Sequence, residues 1–229
     1  MEEARASPAS LILPRRYTPP MPQAANLLAN ALQAIGYAFL PALLLPFAAL
    51  LTPRIHPFTR ALCDLIGTLT HTLGALVRWL YPLLVLSVVW TVFALSIFGI
   101  ASTKLDESAI YLHAFALMLG AAATLLADEH VRVDILYGRL SPEGQSLTDF
   151  CAFYLLLAPL MLLILWTAQA PTRFAWAVLE GSADADGIRG QFLLKTLIPA
   201  FAVLMLAQGI SLASRAAMRL RPRVAENGT

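Results

Sequence analysis

The sequence predicts an all-α integral membrane protein. It should hold four core transmembrane helices, an extra N-terminal membrane helix and an amphipathic helix in the interface. Three observations carry that expectation. Of 229 residues, 59% are hydrophobic and 13% charged, against about 25% charged in soluble globular domains. Mean hydropathy is +0.70. Five stretches free of internal Asp, Glu, Lys and Arg also approach the roughly 20 residues a helix needs to cross about 30 Å of hydrocarbon.

The elements follow in chain order. Residues 1–30 form a tail; five prolines fall in its first 22 residues among mixed charges, a composition that favours disorder. The first apolar stretch is Ala31 to Leu51, within a 31–52 segment. Pro41 and Pro46 near its middle remove helical hydrogen bonds and kink the chain, so it either spans or lies as a re-entrant or surface helix. Residues 53–78 hold an amphipathic pattern. Phe58, Ala61, Leu62, Leu65, Ile66, Leu69, Leu73 and Leu76 recur at helical spacing, while Arg60, Asp64, Thr68, His71 and Thr72 fall on other faces. That pattern suits a helix in the interface plane; the alternative is an extension of the next span. Four core spans then occupy 79–215, at about Trp79 to Ile100, Ala109 to Ala127, Phe150 to Ala168 and Leu193 to Leu212. Residues 216–229 form a basic tail.

Lys and Arg near span ends set orientation. With the tail, the 128–142 connection and the amphipathic segment in the cytoplasm, nine positives lie inside: Arg54, Arg60, Arg78, Arg132, Arg139, Arg215, Arg219, Arg221 and Arg223. Four lie outside: Lys104, Arg173, Arg189 and Lys195. The expected location is the inner (cytoplasmic) membrane, multi-pass, with the C-terminus in the cytoplasm.

Composition and motifs weigh against several chemistries. A net charge of +2 with no basic, aromatic-laced cluster argues against nucleic acid. Cys63 and Cys151 have no CxxC spacing, so they read as small apolar residues. A free-standing transporter should show broken helices and ionisable groups at mid-membrane. Here only His113 lies inside a span, near its outer end. A haem-bearing redox anchor needs two histidines at one depth. His113 and His130 straddle one span, about 25 Å apart, and His56 and His71 lie at the other side. The stretch DEHVRVDILYGRLSP (Asp128 to Pro142) has no HExxH, and Arg132 beside His130 and Asp134 opposes a cation. It reads as a charged helix end at a membrane boundary, with Ser141 as N-cap and Pro142 in the first turn of the next helix. No cofactor, metal site or enzyme activity is expected. Ala116, Gly120 and Thr124 form a small-residue stripe suited to close helix packing.

The same stretch, a span followed by HVRVDILYGRLSP and another span, resembles the small membrane subunit of tripartite ATP-independent periplasmic (TRAP) transporters, the DctQ-like component. STKLDESAIYLHAFALMLGAA resembles that family's outer loop and second core span. LEGSADADGIRGQFLLKTLIPAF resembles the loop before its last span, and LAQGISL also fits. The likeness runs from about Thr70 to Arg215. It implies a scaffold for a large membrane subunit that carries the substrate and sodium sites. A periplasmic binding protein would deliver an organic acid or related solute, and membrane lipids surround the complex. Two positions depart from the pattern: Leu105 stands where Trp is commoner, and Glu143 follows Ser141-Pro142 in place of a basic residue. Asp106 and Glu107 are candidate docking residues on the outer side, or acids favoured by the helix dipole. His130, Arg132, Asp134 and Arg139 are candidates for fixing the inner helix end against the large subunit.

Overall fold

The computed structural model describes residues 41–127 and 137–226. Helix dominates because lipid offers backbone groups no hydrogen-bond partner. Among the described residues, four helical stretches are long and apolar enough to cross a membrane: Pro53–Phe98, Thr103–Leu126, Pro142–Val178 and Gln191–Leu220. The elements are α1 (Leu45–Leu51), α2 (His56–Val77), α3 (Leu80–Phe98), α4 (Thr103–Leu126), α5 (Pro142–Ala152), α6 (Ala158–Val178) and α7 (Gln191–Glu226).

The N-terminal membrane segment is only partly described: Ala31 to Leu40 lie outside the described residues, as does the 1–30 tail. A turn at Leu43 and Leu44 precedes α1, so Pro46 stands in a first helical turn, where its missing N–H costs nothing. With seven residues, α1 is about 10 Å long. It packs against α7 and is tied down by aromatics. The Phe47 ring lies 5.1 Å from Phe150 and 4.8 Å from Tyr154. The Tyr154 hydroxyl donates to the Leu43 carbonyl at 2.5 Å.

A 3-10 turn at Pro53–Ile55 leads into α2. The 46 residues of Pro53–Phe98 make a rod of about 69 Å, over twice the hydrocarbon thickness. It is jointed at Arg78 and Trp79, where Trp79 N–H returns to the Leu76 carbonyl and Tyr81 N–H to that of Arg78. On α2 the residues Thr59, Cys63, Gly67, Thr70 and Val77 are buried, while Phe58, Leu65, Leu69 and Leu76 stand exposed. Small side chains therefore face the bundle and large apolar ones face out. In lipid, burial of leucine drives little association and close backbone approach drives more. At Gly74, a Cβ would lie 2.5 Å from the Ala123 Cβ of α4.

Helix α3 packs chiefly on α4, with the Ser87 and Ser108 hydroxyls 2.8 Å apart. It stops at Gly99, which adopts a left-handed φ of 63° that costs glycine nothing. Helix α4 starts at Thr103, so the acidic residues 106 and 107 belong to its first turns and the connection before it is short.

After the second connection, Ser141 caps α5 by accepting from Gly144 N–H at 3.2 Å, with Pro142 in the first turn. Helices α5 and α6 run on through a π turn at Phe153–Leu157. Pro159 follows it, and a proline lacks the N–H and crowds the carbonyl four residues back. The widened turn relieves both. Gly209 of α7 lies against it: a Cβ there would sit 2.6 Å from Leu157 Cδ2 and 2.8 Å from the Phe153 ring.

Helix α7 is the centre. It touches α1, α2, α4, α5 and α6. Of its most apolar window 56% is buried, against 6% for the α2–α3 rod. Ala122, Phe153, Met161, Leu165, Ala202, Met205, Leu206 and Ile210 form the core. The helix continues past Arg215 through buried Ala216 and Ala217 to Glu226, so the basic tail begins as part of the last span's helix.

Candidate functional site at the two ends of the bundle

The polar residues gather at the two helix ends. One end, here the loop end, joins the start of α4 to the connection between α6 and α7. Leu179 terminates α6 with φ 47°, and the chain then loops through Ser182 and Gly187 to α7. Glu107 organises that loop. Its Oε1 accepts from the Ser182 hydroxyl and its Oε2 from the Ile188 backbone N–H. Glu107 lies in the first turns of α4, ahead of the apolar stretch beginning at Ala109 and outside it. The Ser182 hydrogen bond, then the Ile188 one, hold its carboxyl below the ordinary 4.5; both favour the charged form. Gly187 is required by proximity, since a Cβ there would sit 2.6 Å from Glu107 Oε1. Lys195 pairs with Glu180 at 2.5 Å, and the Trp176 ring N–H donates to Thr196 at 2.8 Å. These bonds close the loop over the helix ends.

The structure thus separates the two acids paired in sequence. Glu107 turns inward to the loop, and Asp106 is exposed. His113 is exposed on α4 and His71 on α2, while the His56 ring Nε2 lies 2.9 Å from the Ala49 carbonyl. Among the described residues no group of three His, Cys, Asp or Glu side chains gathers.

The opposite, tail end holds residues 137–142, the described part of the second connection. His130, Arg132 and Asp134 lie outside the described residues, and Arg139 is exposed. The Tyr137 hydroxyl donates to Asp149 at 2.9 Å, and Gln145 Nε2 to the Tyr137 carbonyl at 3.3 Å. Arg215 donates to Asp64 at 3.2 Å and to the Cys63 carbonyl at 3.4 Å, linking α7 to α2. Beside Arg215 a cavity of about 300 Å³ reaches Gln208 and Ser211. The buried Gln208 Oε1, Ser211 Oγ and Ser214 Oγ have no hydrogen-bond partner among the described residues. Such orphans cost about 1–3 kcal/mol each.

The small-residue stripe divides too. Ala116 is fully buried, and a Cβ on Gly120 would meet Val77 at 3.5 Å. Thr124 is exposed and returns its hydroxyl to the Ala121 carbonyl; Ala123, one residue earlier, makes the contact with Gly74. The Glu107 loop contacts, the π turn and the orphan polar atoms of α7 were not foreseen from sequence. Glu107 with Ser182 and Ile188 spans over 70 positions, and no local spacing reports such a pairing.

A family model described as tripartite ATP-independent periplasmic transporters, DctQ component, matches residues 84–219. No curated protein and no solved structure matches the chain.

Proposed function

The chain belongs to the DctQ component family of TRAP transporters, and from that membership we propose that it is the small permease subunit that anchors and stabilises a large membrane subunit. In this reading the large subunit imports an organic acid or related solute by sodium coupling, fed by a periplasmic binding protein. The observation that carries the proposal is the family match across 84–219, which takes in two complete candidate spans, all but the last residue of a third, and most of α3. The exposed face of α3 supports it. Trp79, Trp90, Phe93 and Phe98 are 48–70% exposed, an apolar surface suited to lipid and to a large apolar partner. The charge asymmetry of nine against four positives supports an inner-membrane protein with a cytoplasmic C-terminus; the loop end then faces the periplasm.

Docking is divided between the two ends. At the loop end, exposed Asp106 meets a partner while Glu107 sets the shape of the loop beside it. At the tail end, His130, Arg132, Asp134 and Arg139 fix the connection against the large subunit. Ala116 and Gly120 hold α4 to the α2–α3 rod, with Thr124 turned outward. Reconstituted uptake tests the role: proteoliposomes should import solute only with the large subunit, this chain and the binding protein present. Uptake by this chain alone would refute it. Asp106→Lys, or Arg132→Ala with Asp134→Ala, should lower the yield of the complex; wild-type yield removes the docking assignment.

A further inference from the structure

We propose that Gln208, Ser211, Arg215 and Arg219 form a binding site for a phosphate ester group at the tail end of the bundle. The cavity of about 300 Å³ there is lined by these residues and by Tyr137 and Asp149. That is about ten times the share of one water, roughly 30 Å³, so it admits a phosphoglycerol-sized group.

Two buried polar side chains reach it without partners. Gln208 is 2% and Ser211 1% exposed, and Gln208 Oε1 and Ser211 Oγ have no partner among the described residues. Hydroxyls inside helices ordinarily satisfy themselves on a carbonyl one turn back. In this chain Thr59, Thr68, Thr72, Thr91, Thr167 and Thr196 all do so. Ser211 makes no such bond among the described residues. The Ser211 hydroxyl can donate to an external oxygen, and the Gln208 amide can do so through Nε2, its Oε1 being an acceptor only.

Charge fixes the sign of the ligand. Arg219 forms no ion pair among the described residues. Arg215 commits Nη2 to Asp64 and Cys63, leaving its other N–H groups of the five on a guanidinium. One oxygen of Asp149 is already held by the Tyr137 hydroxyl. Asp64, which offsets Arg215, does not line the cavity; the lining of Arg215, Arg219 and Asp149 carries a formal charge of +1, and guanidinium matches phosphate geometry. Leu126 and Leu212 form its apolar wall at the end of α4 and along α7. The phosphate can therefore come from a lipid headgroup, with acyl chains along the helices, or from a soluble ester.

The test uses the full chain, delipidated in detergent, with melting temperature and native mass spectrometry as readouts. Phosphatidylglycerol, diacylglycerol with the same acyl chains, and glycerol phosphate are the probes. Phosphatidylglycerol should bind and raise the melting temperature, and diacylglycerol should not. Binding of glycerol phosphate at equal strength assigns a soluble source; failure of glycerol phosphate alone assigns the lipid. Arg219→Gln and Gln208→Met should each weaken binding about tenfold, and Arg219→Lys should keep most of it. Melting without ligand establishes that each variant folds. Equal effects of diacylglycerol, no binding by either phosphate probe, or full binding by folded Arg219→Gln and Gln208→Met would overturn the proposal.

Discussion

Gly74→Ala tests how α2 is held. The new Cβ would lie 2.5 Å from the Ala123 Cβ, against about 3.5–4.0 Å for a relaxed carbon contact. Ala123 Cβ is fixed to its backbone, so the helices must part by about 1–1.5 Å. Overpacking of this kind costs about 1–3 kcal/mol. Helix propensity acts the other way, favouring alanine over glycine by about 1 kcal/mol. The single substitution should therefore destabilise by about 0–2 kcal/mol, too broad a range to decide alone. The cycle with Ala123→Gly decides, because the double variant exchanges the two residues and removes the clash. A coupling of about 1–3 kcal/mol is expected, measured by reversible unfolding in mixed micelles with increasing dodecyl sulfate. Additivity within about 0.3 kcal/mol, with Gly74→Ala as stable as the parent, would refute the packing of α2 on α4.

Three further outcomes follow. Because the folded Glu107 carboxyl titrates below the ordinary 4.5, its contribution is complete above that pH and is lost as pH falls through the lower folded value. Protection of the Ile188 amide from exchange should therefore persist at pH 5, and Glu107→Gln should weaken it there. Tyr154→Phe removes the bond to the Leu43 carbonyl and should cost about 0.5–1.5 kcal/mol, with faster proteolysis ahead of α1. Leu179 is 57% exposed at φ 47°, so Leu179→Gly should stabilise by about 1 kcal/mol; a loss would show that its side chain packs on something that this strain serves.

The four core spans were legible because each is a run whose length and lack of charge alone determine its place in lipid. The Ser141-Pro142 start of α5 was legible for a local reason: the hydroxyl and the ring each act within one turn. The periodicity of Phe58 to Leu76 also identified α2. Its bundle-facing side, Thr59, Cys63, Gly67 and Thr70, carries a weak hydropathy signal and emerged only from the fold. Span ends were the least legible. The first-turn acids of α4 and the helical run from Arg215 to Glu226 are polar, and hydropathy stops at a charge where a helix does not. The loop held by Glu107 depends on Ser182 and Ile188, brought close only after α4, α6 and α7 assemble. The orphan Gln208 and Ser211 read as ordinary polar residues of an apolar helix until their surroundings are known.

The central claim is that this chain is a supporting subunit, and affinity capture tests it most directly. A tagged chain, co-expressed with a TRAP large membrane subunit and extracted in mild detergent, should retain that subunit in a stable one-to-one complex. Recovery of the tagged chain alone, with the large subunit folded in the membrane but left in the flow-through, would contradict the account.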